Sequence, residues 1–338
     1  MENLKKLSLL FLTILGIMRP LVIKSQIRID DSPSIKVDTN LYAIAITKNN
    51  ISIYQHYFNQ KSAADLFNDQ SLTKSIMSLL IGISIDKGYI SSLDEKIVEY
   101  FPGLGQDTDN RKQRISIRQI MNQSSGLYHE DLNKLVDYLA LSDPSSFTLQ
   151  QPLLTDPDSS FHYSNAASHL LSVIITKSTG MPTLDFAKKY LFGPLQIEKV
   201  EWMKMNDGYY DGSGLLSVRL SVMDMNKIGM LVLDTGIYKG QRIVSVGYIQ
   251  QVLNPEKTFQ TGWGFPGSVY GLCWYHKNYR GIAITYGVGW GGQYNFIIPA
   301  LHAVVTVNER VDDAVAIPQN ERFLSQIFPL IFDELEKN

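Results

Sequence analysis

The sequence predicts an α+β fold: an antiparallel sheet flanked by helices from both termini, with a helical lobe inserted between its two halves. Three observations lead there. Runs with strand character lie early, at residues 41–47 and 51–57, and again late, between 270 and 308. The middle third carries helical spacing joined by polar and Pro-containing connections. Between them stands a helix, residues 71–87, whose apolar positions fall on nearly every face, so it must be packed on all sides. With 338 residues, 44% of them hydrophobic, the chain can bury a core of the size this architecture needs.

In chain order, Lys5 and Lys6 precede a short apolar stretch, residues 7–18. That is the layout of an export signal, taken as 1–25 with Ser25 the last residue removed, leaving a mature domain of 26–338 outside the cytoplasm, periplasmic or secreted. The competing reading, a membrane anchor extended through Leu21, Val22 and Ile23, is interrupted by Arg19 and Pro20. The first thirty residues hold no cysteine for lipid modification. Residues 41–47 and 51–57, separated by Lys48, Asn49 and Asn50, read as a hairpin. The buried helix carries Leu72, Ile76, Met77, Leu79, Leu80, Ile81, Ile83 and Ile85, and Gly88 stops it.

Helical patterns follow at 131–141, 166–179 and 183–191, within an inserted lobe of about 100–205. An amphipathic helix is expected at 222–233. Strands are expected at 270–276, 282–286, 294–298 and 303–308, the material of an antiparallel meander, and a closing helix at 320–336. Cys273, the one cysteine, falls in the apolar alternation of the 270–276 run and reads as a small buried residue; no intramolecular disulfide can form.

A formal net charge of -2 without any Lys/Arg-rich run argues against nucleic-acid binding. The six histidines, His56, His129, His162, His169, His276 and His302, show no metal-ligand spacing, so neither a metal site nor a cofactor is expected. Any membrane contact is expected through the export signal alone.

Three segments carry candidate chemistry. Ser71 and Lys74 lie three apart at the start of the buried helix, so hydroxyl and ammonium share a face. A serine needs a base to become a nucleophile, and a lysine desolvated among apolar residues can serve as one. Taken alone, Ser71 reads equally as a helix-opening serine, and the same helix repeats the spacing at Ser84 and Lys87. Ser71 follows Asn68, Asp69 and Gln70 and can open the helix, whereas Ser84 precedes Gly88 and reads as part of a solvated turn. Second, Tyr163 and Asn165 stand at the mouth of the helix expected from 166, readable as a proton-sharing tyrosine or as a buried tyrosine beside a helix cap. Tyr57 and Asn59 repeat that spacing at the end of a strand, where packing and a turn are the expected roles. Third, residues 287–293 place four glycines and Trp290 between two strands, as a glycine-rich bend or as a strand whose backbone something must approach.

The three segments in this order resemble the class C β-lactamase-like superfamily of penicillin-binding proteins, D,D-peptidases, β-lactamases, carboxylesterases and amide hydrolases. Residues 115–127, 212–217 and 270–274 look like further phrases of it, so the likeness runs from about 41 to 310. It implies a β-lactamase/transpeptidase-like fold, with Ser71 the acylated nucleophile, Lys74 and Tyr163 the proton-transfer pair, and Asn165 orienting lysine and substrate. Trp290, Gly291 and Gly292 would fill the strand box, and the backbone N–H groups of Ser71 and Gln293 the oxyanion hole. Trp290 would stand where β-lactamases and D,D-peptidases of the family usually carry Lys or His for a substrate carboxylate. That departure, with Gln293, looks more like the carboxylesterase and linear 6-aminohexanoate-amide branches. The expected substrate is a small or peptide-like ester or linear amide. The alternatives are a cell-wall β-lactamase or D,D-peptidase, or a catalytically silent binding or sensor protein on the same fold.

Overall fold

The computed structural model describes residue 29 and residues 32–337; the expected export signal lies outside them. Eight strands form the main sheet in the order Ile51–Tyr57, Leu41–Lys48, Ala303–Glu309, Gln293–Ile298, Ile282–Gly289, Trp274–Tyr279, Val269–Gly271 and Phe259–Gln260. Each neighbouring pair is antiparallel. The early hairpin therefore docks on the last strand, Ile44 opposite Val307 and Ile46 opposite Val305, and the two ends of the chain share one sheet.

Alternation along Ala303–Glu309 explains how both faces are covered. Val305 and Val307 join a cluster with Phe323, Ile327, Phe328 and Phe332 of the closing helices. On the opposite face helix Val222–Leu233 lies across the strands, and here the buried contacts are partly polar. Thr47 Oγ1 donates to Asn226 Oδ1 at 2.7 Å, Asn226 Nδ2 to Thr306 Oγ1 at 3.1 Å, and Asn295 Nδ2 to the Met225 carbonyl at 3.0 Å. With every partner supplied, burial of these amides stabilises one register of helix on sheet.

The helix expected at 71–87 is Leu72–Asp86, buried on all sides from Leu72 to Ser84. It packs against helix Asn165–Thr179 and strand Ile282–Gly289. A Cβ at Gly287 would lie 2.5 Å from Leu72 Cδ2, so only glycine lets strand and helix approach this closely.

Two expectations are corrected. The run 270–276 is not one strand: Leu272 and Cys273 take positive φ of 51° and 70°, turning Val269–Gly271 back against Trp274–Tyr279. Such a turn usually draws Gly or Asn. Here the backbone is held by tertiary bonds, Leu272 N–H to Asn122 Oδ1 at 2.8 Å and Cys273 N–H to the Met121 carbonyl at 2.9 Å. Cys273 is buried as expected, and burial pushes its thiol up to about 12. The helix expected at 131–141 is reduced to two short turns, Leu132–Lys134 and Leu135–Leu139; Tyr138 is buried against Ala166 and Met205, but Val136 is left 79% exposed.

Candidate active site

Ser71 opens the helix, yet its hydroxyl caps no backbone N–H. It accepts instead from Lys74 Nζ at 3.0 Å. A capping serine would spend its oxygen on the N2 or N3 amide. The preceding Gln70 sits at φ 50°, a left-handed conformation held by its N–H to Ser217 Oγ at 2.7 Å. Strain at that point turns the chain sharply enough to present Ser71 at the helix mouth.

Lys74 is 1% exposed. Besides Ser71 it donates to Asn165 Oδ1 at 2.6 Å and to the Ser213 carbonyl, so each of the three protons of an ammonium has an acceptor. The Tyr163 ring lies over the same nitrogen, 4.7 Å from Nζ to ring centroid. Ser71, Lys74, Tyr163 and Asn165, drawn from segments up to 94 residues apart, thus meet around one nitrogen. Ser84 does not belong here. It is fully buried rather than solvated, and its hydroxyl donates to the Leu80 carbonyl at 2.9 Å. Asn59 serves a turn, its amide donating to the Asp38 and Leu41 carbonyls.

The glycine-rich segment meets the site in a different register from the one expected. Strand Ile282–Gly289 pairs with Trp274–Tyr279 only as far as Tyr286, so Gly287, Val288 and Gly289 run on beyond that partner. A Cβ on Gly289 would lie 2.5 Å from the Asp69 carbonyl oxygen and 3.0 Å from Gln70 Cβ, which places this backbone against the turn that presents Ser71. Trp290, Gly291 and Gly292 form the hairpin bend between paired residues Gly289 and Gln293. Cβ atoms on Gly291 and Gly292 would meet Val311 and Glu309, not the nucleophile turn. The Trp290 indole donates to Asp313 Oδ1 at 2.7 Å and stacks on Trp263 with centroids 5.4 Å apart. Gln293 is buried, its amide donating to the Gly291 and Glu309 carbonyls. Residues 290–292 are thus taken up by the turn, and the strand backbone beside Ser71 is that of Gly287–Gly289.

Three buried acids surround this site that sequence reasoning passed over. Asp69 lies two residues before Ser71, accepting from Leu220 N–H at 3.0 Å and Asn308 Nδ2 at 3.2 Å, and burial holds its carboxyl well above the usual carboxylate range. Glu130 receives the N-terminus of helix Asn165–Thr179. Asp211 accepts from the backbone N–H groups of Ser213, Gly214, Leu216 and Ser217, shaping the loop that offers the Ser213 carbonyl to Lys74. The loop passes so close that a Cβ at Gly214, φ 93°, would lie 2.9 Å from Ser71 Cα. Lone acids in loops give no spacing signal. The described residues contain no group of three or more His, Cys, Asp or Glu arranged to hold a metal.

The sequence pattern of the family described as Beta-lactamase matches residues 41–316. The 6-aminohexanoate-dimer hydrolase of Paenarthrobacter ureafaciens is 24% identical over 259 residues, covering 70% of this chain and 64% of its own length. Among solved structures, the octameric penicillin-binding protein homologue from Pyrococcus abyssi superposes with a TM-score of 0.67 at 18% identity, over 86% of this chain and 73% of that one. A D-stereospecific amidohydrolase from a Streptomyces species gives 0.62 at 16% identity, over 82% and 92%. At these identities the structures speak for the fold, β-lactamase/transpeptidase-like and α+β.

Proposed function

This chain belongs to the beta-lactamase family, and within it we propose a serine hydrolase that acts through an acyl-enzyme on an ester or a linear amide, with Ser71 as nucleophile. The observation that carries the reading is the 3.0 Å hydrogen bond from a fully buried Lys74 to a Ser71 hydroxyl that caps nothing. In acylation Ser71 Oγ attacks the substrate carbonyl carbon and gives its proton to the lone pair of Lys74 in its amine form, whose two N–H groups stay on Asn165 Oδ1 and the Ser213 carbonyl; the tetrahedral intermediate collapses, the leaving alcohol or amine takes that proton by way of Tyr163, and an ester to Ser71 remains. Water repeats the sequence and frees the acid. Once it holds that proton, Lys74 has an acceptor for each of its three N–H groups and puts positive charge beside the reacting oxygen, with the Tyr163 ring over it. The backbone N–H groups of Ser71 and Gly289 are the oxyanion donors in this reading, each commonly worth about 3 kcal/mol of barrier. Gly289 takes this role from Gln293 because it borders the nucleophile turn.

Substrate preference follows from the same strand edge. Gly287 and Gly289 face the nucleophile helix and bring no cation for a β-lactam carboxylate, and Trp290 is committed to Asp313 and Trp263. The names of two similar proteins, a 6-aminohexanoate-dimer hydrolase and a D-stereospecific amidohydrolase, agree with a linear amide. Export through the 1–25 signal is part of the proposal and is tested by amino-terminal sequencing of fractionated cells.

The deciding experiment is a panel of p-nitrophenyl esters, linear amides, nitrocefin and D-Ala-D-Ala peptides against the purified protein and Ser71→Ala. Ester or amide turnover lost in Ser71→Ala supports the proposal. Nitrocefin or D-Ala-D-Ala as the best substrate favours the cell-wall alternative, and no turnover with no covalent labelling favours a silent binding protein.

A further inference from the structure

We propose that Glu130, which belongs to none of the three chemistry-bearing segments, is a positioning residue that sets the catalytic lysine by fixing which way the Asn165 amide faces; this rests on the reading of Ser71 as nucleophile. An asparagine amide can present either its oxygen or its NH2 to a neighbour. Lys74 needs the oxygen, since an ammonium has protons only to give. Glu130 decides the matter from the other side. Its carboxylate, 5% exposed, accepts from Asn165 Nδ2 and, at 3.0 Å, from Asn165 N–H through Oε1, while Oε2 accepts from Ala166 N–H at 3.1 Å. A carboxylate has no proton to offer, so the NH2 must turn toward it and the amide oxygen toward Lys74, where it lies 2.6 Å from Nζ. Reversing the amide would set NH2 against ammonium and oxygen against carboxylate, two repulsive contacts in a buried site.

The same carboxylate has a second, purely structural task. It receives the first N–H groups of a fifteen-residue helix, satisfying donors that no carbonyl of the helix can reach. The two tasks separate by experiment, because the helix contact goes through backbone N–H groups and the lysine contact through the Asn165 side chain. In an Asn165→Ala background the first persists and the second is gone.

The full-length protein and the variants Glu130→Gln, Asn165→Ala and their double are compared in three measurements: fluorophosphonate labelling rate by intact mass spectrometry, kcat and KM for p-nitrophenyl butyrate, and urea midpoint. Glu130→Gln should slow labelling by about tenfold or more and lower kcat while KM stays within about twofold. In the Asn165→Ala background the same substitution should change labelling by less than about twofold yet still lower the urea midpoint. Glu130→Asp, which keeps the charge but withdraws it by one methylene, should label at an intermediate rate, and it carries the test where Glu130→Gln does not fold. Labelling at the unmodified rate in Glu130→Gln or Glu130→Asp overturns the proposal, as does an effect that persists undiminished in the Asn165→Ala background. The underlying reading fails separately: it is lost when Ser71→Ala still takes up the probe, whatever Glu130 does.

Discussion

Glu309, at the end of the last strand, should make the fold lose stability toward alkaline pH, and replacing it by glutamine should remove that loss. The side chain is 2% exposed, and neither carboxyl oxygen has a hydrogen-bond donor among the described residues. Beside it lies Gln319, whose Nε2 bonds to the Gly291 and Arg310 carbonyls and whose side chain draws the Glu309 carboxyl down, against the larger effect of burial. Burial accordingly pushes the carboxyl up from an ordinary 4.5 to about 8. Between those values the folded chain holds a proton that the unfolded chain has released, so its stabilisation is complete below about 4.5 and is lost as pH rises through about 8. From pH 6 to pH 9 the charged form must appear inside the fold, which costs about 3 kcal/mol, two pH units at about 1.4 kcal/mol each. Glu309→Gln has the same shape and never ionises. Urea unfolding of both proteins at pH 6 and pH 9 is the assay, and the difference between them isolates Glu309 from Asp69, whose raised carboxyl is common to both. The gap should open by about 3 kcal/mol at the higher pH. Curves that stay parallel, with the gap changing by less than about 0.5 kcal/mol, would refute the reasoning.

Ser71→Ala should abolish fluorophosphonate labelling with the urea midpoint nearly unmoved, because the hydroxyl holds no cap; Ser84→Ala should label normally, and an adduct on Ser71→Ala would sink the assignment. Short-chain p-nitrophenyl esters or linear amides should exceed nitrocefin in kcat/KM, since a carboxylate finds no charge-assisted bond, typically about 1.5–3 kcal/mol, at the Gly287–Gly289 edge; nitrocefin outrunning every ester and amide would end that argument. Gly287→Val should destabilise the protein by several kcal/mol in urea, as its Cβ would begin 2.5 Å from Leu72 Cδ2 within a packed helix–strand contact, and a loss under about 1 kcal/mol would show that the contact yields easily. Acid should act through His276, which burial lowers to about 4: a His276→Gln variant should lose less stability than the unmodified protein between pH 6.5 and pH 4, where the unfolded imidazole takes up a proton that the folded one refuses.

What could be read in the chain and what could not divide along a physical line. Ser71 and Lys74 were legible because helical spacing alone puts them on one face, and Asn165 because a residue at a helix mouth is fixed by the helix behind it. The glycine segment was legible as a place of close approach but not in its register. Gly287 and Gly289 make room for the nucleophile helix and turn, whereas Gly291 and Gly292 supply positive φ for a bend, and the one-letter code is the same for both uses. The turn at Leu272 and Cys273 gave no local signal at all, because tertiary bonds from Asn122 and Met121 hold a conformation that neither residue favours by itself.

Glu130 and Asp211 belong to the same class as that turn. Each is an ordinary acid in a polar loop until the fold buries it, and neither touches Lys74 by any hydrogen bond described; one holds Asn165, the other holds the loop of Ser213. Lys74 meets three acceptors, and two of them, Asn165 Oδ1 and the Ser213 carbonyl, are turned toward it by groups that these carboxylates hold. The Ser71–Lys74 spacing therefore specifies only that the two groups share a helix face, a property Ser84 and Lys87 have as well. At residues 84 and 87 the hydroxyl turns back to the Leu80 carbonyl and the lysine lies over the Tyr190 ring, 4.4 Å from its centroid. What distinguishes Ser71 and Lys74 from that second pair is a set of acceptors brought from residues 91 and 139 positions further along the chain. That is why the pair becomes a site only when the helical lobe and the 212–217 loop have closed over it, and why removal of a distant carboxylate should reach the nucleophile.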